Sequence, residues 1–160
     1  MKLLITGSRS VPLLSKERVL NSLSLWWDDH NGPITLVHGG CGHPPLKLSR
    51  ETIYSRVYEE RKEWSVDFLA HEFAQRARWE TLVVPAKWTE CGPSCYHEPR
   101  TKDGQNYCPA AGPIRNKKMV DMLDPATDVV LGFPYGRSAG TRGCIKLAEK
   151  AGLQVIVYEL

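Results

Sequence analysis

The chain has 160 residues, a formal net charge of +3, 42% hydrophobic and 24% charged residues. That is an ordinary globular composition, long enough for one hydrophobic core. No apolar run approaches the roughly 20 residues that cross a bilayer, so no membrane partner is expected. The charge is small, and basic residues are mixed with acidic ones, as in Glu59-Glu60-Arg61-Lys62-Glu63. This argues against nucleic acid as the main partner.

Leu3 to Thr6 is a short apolar run closed by Gly7-Ser8-Arg9-Ser10 and predicts a buried strand. The run is too short for a secretory leader, so a cytoplasmic protein is expected. Ser15 is placed to cap a helix carrying Val19, Leu20, Leu23, Trp26 and Trp27, which stops at Asn31-Gly32-Pro33. Ile34 to Val37 predicts a second strand, ending at His38-Gly39-Gly40. Residues 41–64 read as an insert, with Pro44-Pro45 and a charged helix near Glu51–Lys62. Tyr54 and Tyr58 lie one helical turn apart there, available to pack on the domain or on a second subunit of a homo-oligomer.

Val66, Leu69, Ala70, Phe73, Ala74 and Ala77 form the apolar face of the next helix, and Thr81 to Val84 a third strand. A loop rich in Gly, Pro and Cys follows over residues 86–112, long enough to suggest a function or a clamp. Pro113 suits the first position of a helix ending near Leu123. Asp128 to Phe133, Thr141 to Ala151 and Gln154 to Tyr158 complete the series as strand, helix and strand. Strands alternating with helices predict a single α/β domain over residues 1–160. Its sheet would be mainly parallel, of about five strands, with helices on both faces in a three-layer α/β/α sandwich.

In such a sheet, ligands sit beyond the carboxyl ends of the strands. In the first loop there, Gly7 permits close backbone approach, while Ser8 and Arg9 can meet phosphate. Gly39 and Gly40 in His38-Gly39-Gly40-Cys41-Gly42 free backbone N–H groups for an anion, or form a simple tight turn. Gly136, Arg137, Ser138, Gly140 and Thr141 lie between a strand and a helix start, where N–H groups and the helix dipole favour negative charge. Arg115 and Asn116 fall in the first turn of another helix, where a cation opposes the dipole unless an anion is nearby.

Five cysteines in a chain without a secretory leader do not suggest a disulfide framework. Cys91, Cys95, His97 and Cys108 could close a tetrahedral structural zinc site. Free thiols or a Cys91–Cys95 redox disulfide are the alternatives. Cys41 and Cys144 read as small packing residues near the ligand, or as reactive thiols.

Several of these segments together resemble a known family. Ile5–Arg9, His38–Gly40, Pro85-Ala86-Lys87-Trp88, Ala111–Met119 and Phe133–Thr141 resemble, in order, the motifs of the SLOG superfamily. Within it they are most similar to the YspA-like branch of bacteria and phages. The resemblance implies a Rossmann-like fold that binds a nucleotide or nucleotide-derived molecule, sensed, sequestered or processed. It also implies that Asp67 is the counterpart of the family's aspartate. Related LOG phosphoribohydrolases cleave nucleoside monophosphates with a glutamate after the Gly-Thr pair. Here Cys144 stands at that position, so LOG-type hydrolysis is in doubt and enzymatic activity stays uncertain. A hydrolase with displaced catalytic groups, with Asp67 or Glu72 as its carboxylate, is one alternative. A protein- or DNA-interaction module is another.

Overall fold

The computed structural model describes residues 1–30, 32–41, 64–92, 95, 97–98 and 100–160. The expected helix near Glu51–Lys62, with Tyr54 and Tyr58, lies outside them. A five-stranded sheet is built from β1 (Lys2–Gly7), β2 (Thr35–His38), β3 (Glu80–Val83), β6 (Val129–Phe133) and β7 (Gln154–Val157). Its order is β3-β2-β1-β6-β7, and every neighbouring pair is parallel. The helices are α1 (Leu13–Asp28), α2 (Val66–Ala77), α3 (Ala111–Asp121) and α4 (Ala139–Lys150).

Side chains alternate across a strand, and that alternation divides the core in two. Leu3, Ile5, Leu36 and Leu131 face Val19, Leu23 and Trp26 of α1 and Leu69 and Ala74 of α2. Leu4, Val37 and Val130 face Met119 and Val120 of α3 and Cys144 and Ala148 of α4. Burial on both faces explains why Leu3-Leu4-Ile5 is continuously apolar. The result is the expected three-layer, Rossmann-like α/β/α sandwich.

Local details depart from the sequence reading. Pro12 takes the position before α1, while Ser15 lies inside the helix and is buried. Helix α3 starts two residues before Pro113. Residues 86–112 contain a small hairpin, β4 (Arg100–Lys102) paired with β5 (Gln105–Tyr107). It turns through Asp103 and Gly104, both at positive φ. An Asp-Gly pair is the ordinary sequence signal for such a turn. Trp64, at the end of the insert, is anchored by reciprocal backbone bonds with Val11.

The strand order decides where a ligand can sit. Chain connections run outward from β1 through β2 to β3 on one side, and β6 and β7 lie on the other. A crevice therefore opens at the carboxyl ends of β1 and β6, where Gly7 pairs with Phe133.

Candidate functional site

A cleft of about 420 Å³ occupies that crevice, within the size range of small-molecule sites. One wall is the start of α4. Ser138 precedes the helix in a left-handed conformation, φ 33°, and its side chain does not cap the helix backbone. Instead its hydroxyl lies 2.7 Å from Ser8 Oγ and donates to Thr141 Oγ1 at 2.9 Å. Ser8 Oγ accepts from the Tyr135 N–H at 2.8 Å, which ties the β1 loop to the β6 loop. The opening N–H groups of a helix have no partners within it. Three hydroxyls and the positive end of α4 thus meet on one side of the cleft.

The opposite wall comes from the β2 loop and the starts of α2 and α3. Arg115 donates from Nη1 to the Gly39 carbonyl at 2.8 Å and from Nε to Asn116 Oδ1 at 2.9 Å. Asn116 Nδ2 reaches the Gly140 carbonyl at 3.1 Å, joining α3 to α4. Asp67, in the first turn of α2, accepts from the Cys41 N–H at 2.9 Å. Burial pushes its carboxyl up to about 6, against the opposing pull of the Cys41 N–H and the Arg115 and Arg9 charges. His38 is fully buried, accepts from the Gly40 N–H and contacts His71, so it acts as a strut.

Among the residues singled out from sequence, Gly7, Ser8, Arg9, Gly39, Asp67, Arg115, Asn116, Ser138, Gly140 and Thr141 line the cleft. Gly40, Gly136 and Arg137 are not in its lining; Gly40 and Gly136 instead supply positive φ at turns, and Arg137 is exposed. Glu72 does not line it either. Cys41 lines the cleft, whereas Cys144 is fully buried beneath it, packed with Leu4 and Val130. Sequence reasoning missed Trp88 and Leu147 as lining residues. Trp88 was detectable as an indole in a polar loop just past a strand. Leu147 sits two turns into α4 and carries no local signal.

The second cluster lies in the loop before α3. The donor atoms of Cys91, Cys95, His97 and Cys108 are all within 4.8 Å of one another. Cys95 Sγ and Cys108 Sγ are 3.4 Å apart, as are His97 Nε2 and Cys108 Sγ, and Cys91 Sγ is 3.7 Å from His97 Nε2. These three separations lie within about 0.4 Å of the roughly 3.5–3.8 Å edges of a tetrahedron of ligands around zinc with the usual bond lengths. The 3.4 Å sulfur separation is much longer than the roughly 2 Å of a disulfide. His97 Nδ1–H donates to the Glu98 carbonyl at 2.8 Å, leaving Nε2 as the bare donor facing the sulfurs. The donor set can hold a metal ion.

No family model matches the chain. A 48-residue stretch is 50% identical to the Gene 61 protein of Mycobacterium phage D29, covering 30% of this chain and 36% of that protein. Among solved structures the chain is similar to DNA processing protein A from Helicobacter pylori. That match has a TM-score of 0.54 and 17% identity, over 98% of this chain and 64% of that one. The chain therefore spans less than two thirds of either relative. The structural match establishes a shared fold, a Rossmann-like parallel sheet.

DNA processing protein A is described by its single-stranded DNA binding mode. This overturns the expectation that composition argues against a nucleic-acid partner. Net charge sums over the whole chain, whereas a strand is held by a few cations and stacking rings along one groove. Arg9, Arg115 and Trp88 all line the cleft. Among the described residues, no helix is long and apolar enough to cross a membrane.

Proposed function

We propose that the cleft binds the phosphate of a nucleotide or nucleotide-derived molecule. One observation carries this reading: the start of α4, with the Ser8, Ser138 and Thr141 hydroxyls, opens into the same cleft as Arg9 and Arg115. Backbone N–H groups and hydroxyls would hold phosphate oxygens, and the two guanidinium groups would balance their charge. The SLOG-like motifs fall on these same segments, which supports the reading. LOG-type cleavage is not part of the proposal. Cys144 is buried away from the cleft, and a thiol cannot take the place of a carboxylate beside a developing sugar cation.

A second reading is favoured by the structural relative: the same cleft would hold a nucleotide within single-stranded DNA. Calorimetric titration with 5′-nucleoside monophosphates, ribose 5-phosphate and a short oligothymidylate separates the two. Binding of mononucleotides supports the first reading, and binding of the oligomer alone supports the second. Failure of all three overturns both.

The Cys/His loop would hold a structural zinc ion through Cys91, Cys95, His97 and Cys108, with no position left for water. The ion would clamp a loop that has few apolar contacts of its own. Elemental analysis of the purified protein tests this directly.

A further inference from the structure

We propose that Trp88 is the wall on which the base of the bound nucleotide stacks, and that the Cys/His loop holds the ring in place. This rests on the cleft being a nucleotide site and specifies how its non-phosphate end is recognised. Trp88 lines the same cleft as Arg115 and the start of α4. Its indole lies parallel to the Tyr107 ring, at an interplanar angle of 2° and a centroid separation of 5.9 Å. The Arg9 guanidinium lies over the indole, 4.9 Å from the ring centroid. The guanidinium shows that this face takes a flat group, and a stacking base would take the place Arg9 now holds.

Besides Arg9, three contacts hold Trp88 and its ring, and these come from the loop or its junction with α3. The Trp88 carbonyl accepts from the Cys108 N–H at 2.7 Å. Tyr107, the last residue of β5, lies parallel to the indole. Gly112 leaves room for the indole edge, since a Cβ there would sit 3.1 Å from it. Cys108 is therefore both a member of the donor cluster and the backbone donor that tethers Trp88. Its carbonyl accepts from Ala111 N–H at 3.2 Å, at the start of the helix that carries Arg115. A ring set in place beforehand loses little rotational freedom when a base stacks on it. Stacking of this kind tolerates any base, because every base has a π face.

The test compares 5′-nucleoside monophosphates with ribose 5-phosphate on the full chain, for wild type, Trp88→Leu and Trp88→Phe. If Trp88 stacks the base, Trp88→Leu weakens nucleotide binding by about ten-fold. Ribose 5-phosphate affinity then changes far less, and Trp88→Phe keeps part of the base-dependent gain. Equal affinity of Trp88→Leu and wild type for nucleotides overturns the inference and leaves the nucleotide site standing. Parallel loss of both ligands in Trp88→Leu also overturns it, because the ring would then be a general support. If wild type binds no nucleotide, the underlying reading fails and the inference falls with it.

Discussion

Arg115 and Gly39 occupy each other's space: the guanidinium donates to the Gly39 carbonyl at 2.8 Å, and a Cβ on Gly39 would lie 1.6 Å from Nη1. Glycine at position 39 is thus what lets the β2 loop hold the arginine at the cleft wall. The obstructed atom is the far end of a flexible side chain, so Gly39→Ala should displace the guanidinium at little cost in stability. Arg115→Ala should weaken phosphate-ligand binding by about 1.5–3 kcal/mol, as for a charged hydrogen bond. Gly39→Ala should follow it in affinity while its denaturant midpoint stays near that of wild type. Calorimetry beside urea melts checks both. Unchanged affinity in the two variants would remove Arg115 from the site.

Asp67 makes stability depend on pH. Its carboxyl is raised to about 6 by burial, from an ordinary 3.8. Between those values the unfolded chain has released the proton and the folded chain has kept it, so stability falls as pH rises through that window. The loss is complete above the folded value and amounts to at most about 3 kcal/mol. Asp67→Asn removes this contribution, so its stability relative to wild type should rise from pH 4 to pH 7. Urea unfolding of both proteins across that range gives the difference directly. Parallel profiles would show that Asp67 titrates as an ordinary surface carboxylate.

Metal removal should act on the loop first and on the cleft through it. The purified chain is expected to carry one zinc ion, and His97→Ala or Cys95→Ser should lose it. Chelation should lower the thermal midpoint, since metal binding energy is folding energy for a loop of this kind. It should also weaken nucleotide binding, because Cys108 tethers Trp88 and the start of α3. Metal-free protein with an unaltered melt would leave the four residues as ordinary thiols and an imidazole.

Ser138 combines strain with chemistry. Its φ of 33° lies in the region that favours glycine, at a cost of roughly 1–2 kcal/mol. Its hydroxyl also bridges Ser8 and Thr141. Ser138→Ala keeps the strain and loses the bridge, whereas Ser138→Gly loses the bridge and relieves the strain. The alanine variant should therefore be the less stable of the two, by about 1 kcal/mol. Both should bind phosphate ligands several-fold more weakly than wild type, as expected for loss of a neutral hydrogen bond. Thermal melts and titrations of the pair test the two halves separately.

Local pattern alone specified much of this protein. The unbroken Leu3-Leu4-Ile5 run, the helical spacing of Val19, Leu23 and Trp26, and the glycine loops after the strands predicted a parallel sheet covered on both faces. They also identified the loops at its carboxyl end. Such signals arise from backbone geometry over a few residues, so they can be read without knowing what packs where. The spacing of Cys91, Cys95, His97 and Cys108 likewise suggested a donor cluster, which the fold brings within 4.8 Å.

Tertiary structure decided the rest. Gly39 and Arg115 are 76 residues apart in the chain, and their interlocking depends on how α3 docks against the β2 loop. In the cleft Trp88 touches Tyr107, Cys108 and Gly112, none of which marks it in sequence. Gly40, Gly136 and Arg137 belong to the same loops as lining residues yet lie outside the lining, because a turn sends successive residues in different directions. Net charge could not speak for or against a nucleic-acid partner, because such binding is decided by which groups share a groove. That arrangement exists only once the sheet order β3-β2-β1-β6-β7 has opened a crevice beside β1.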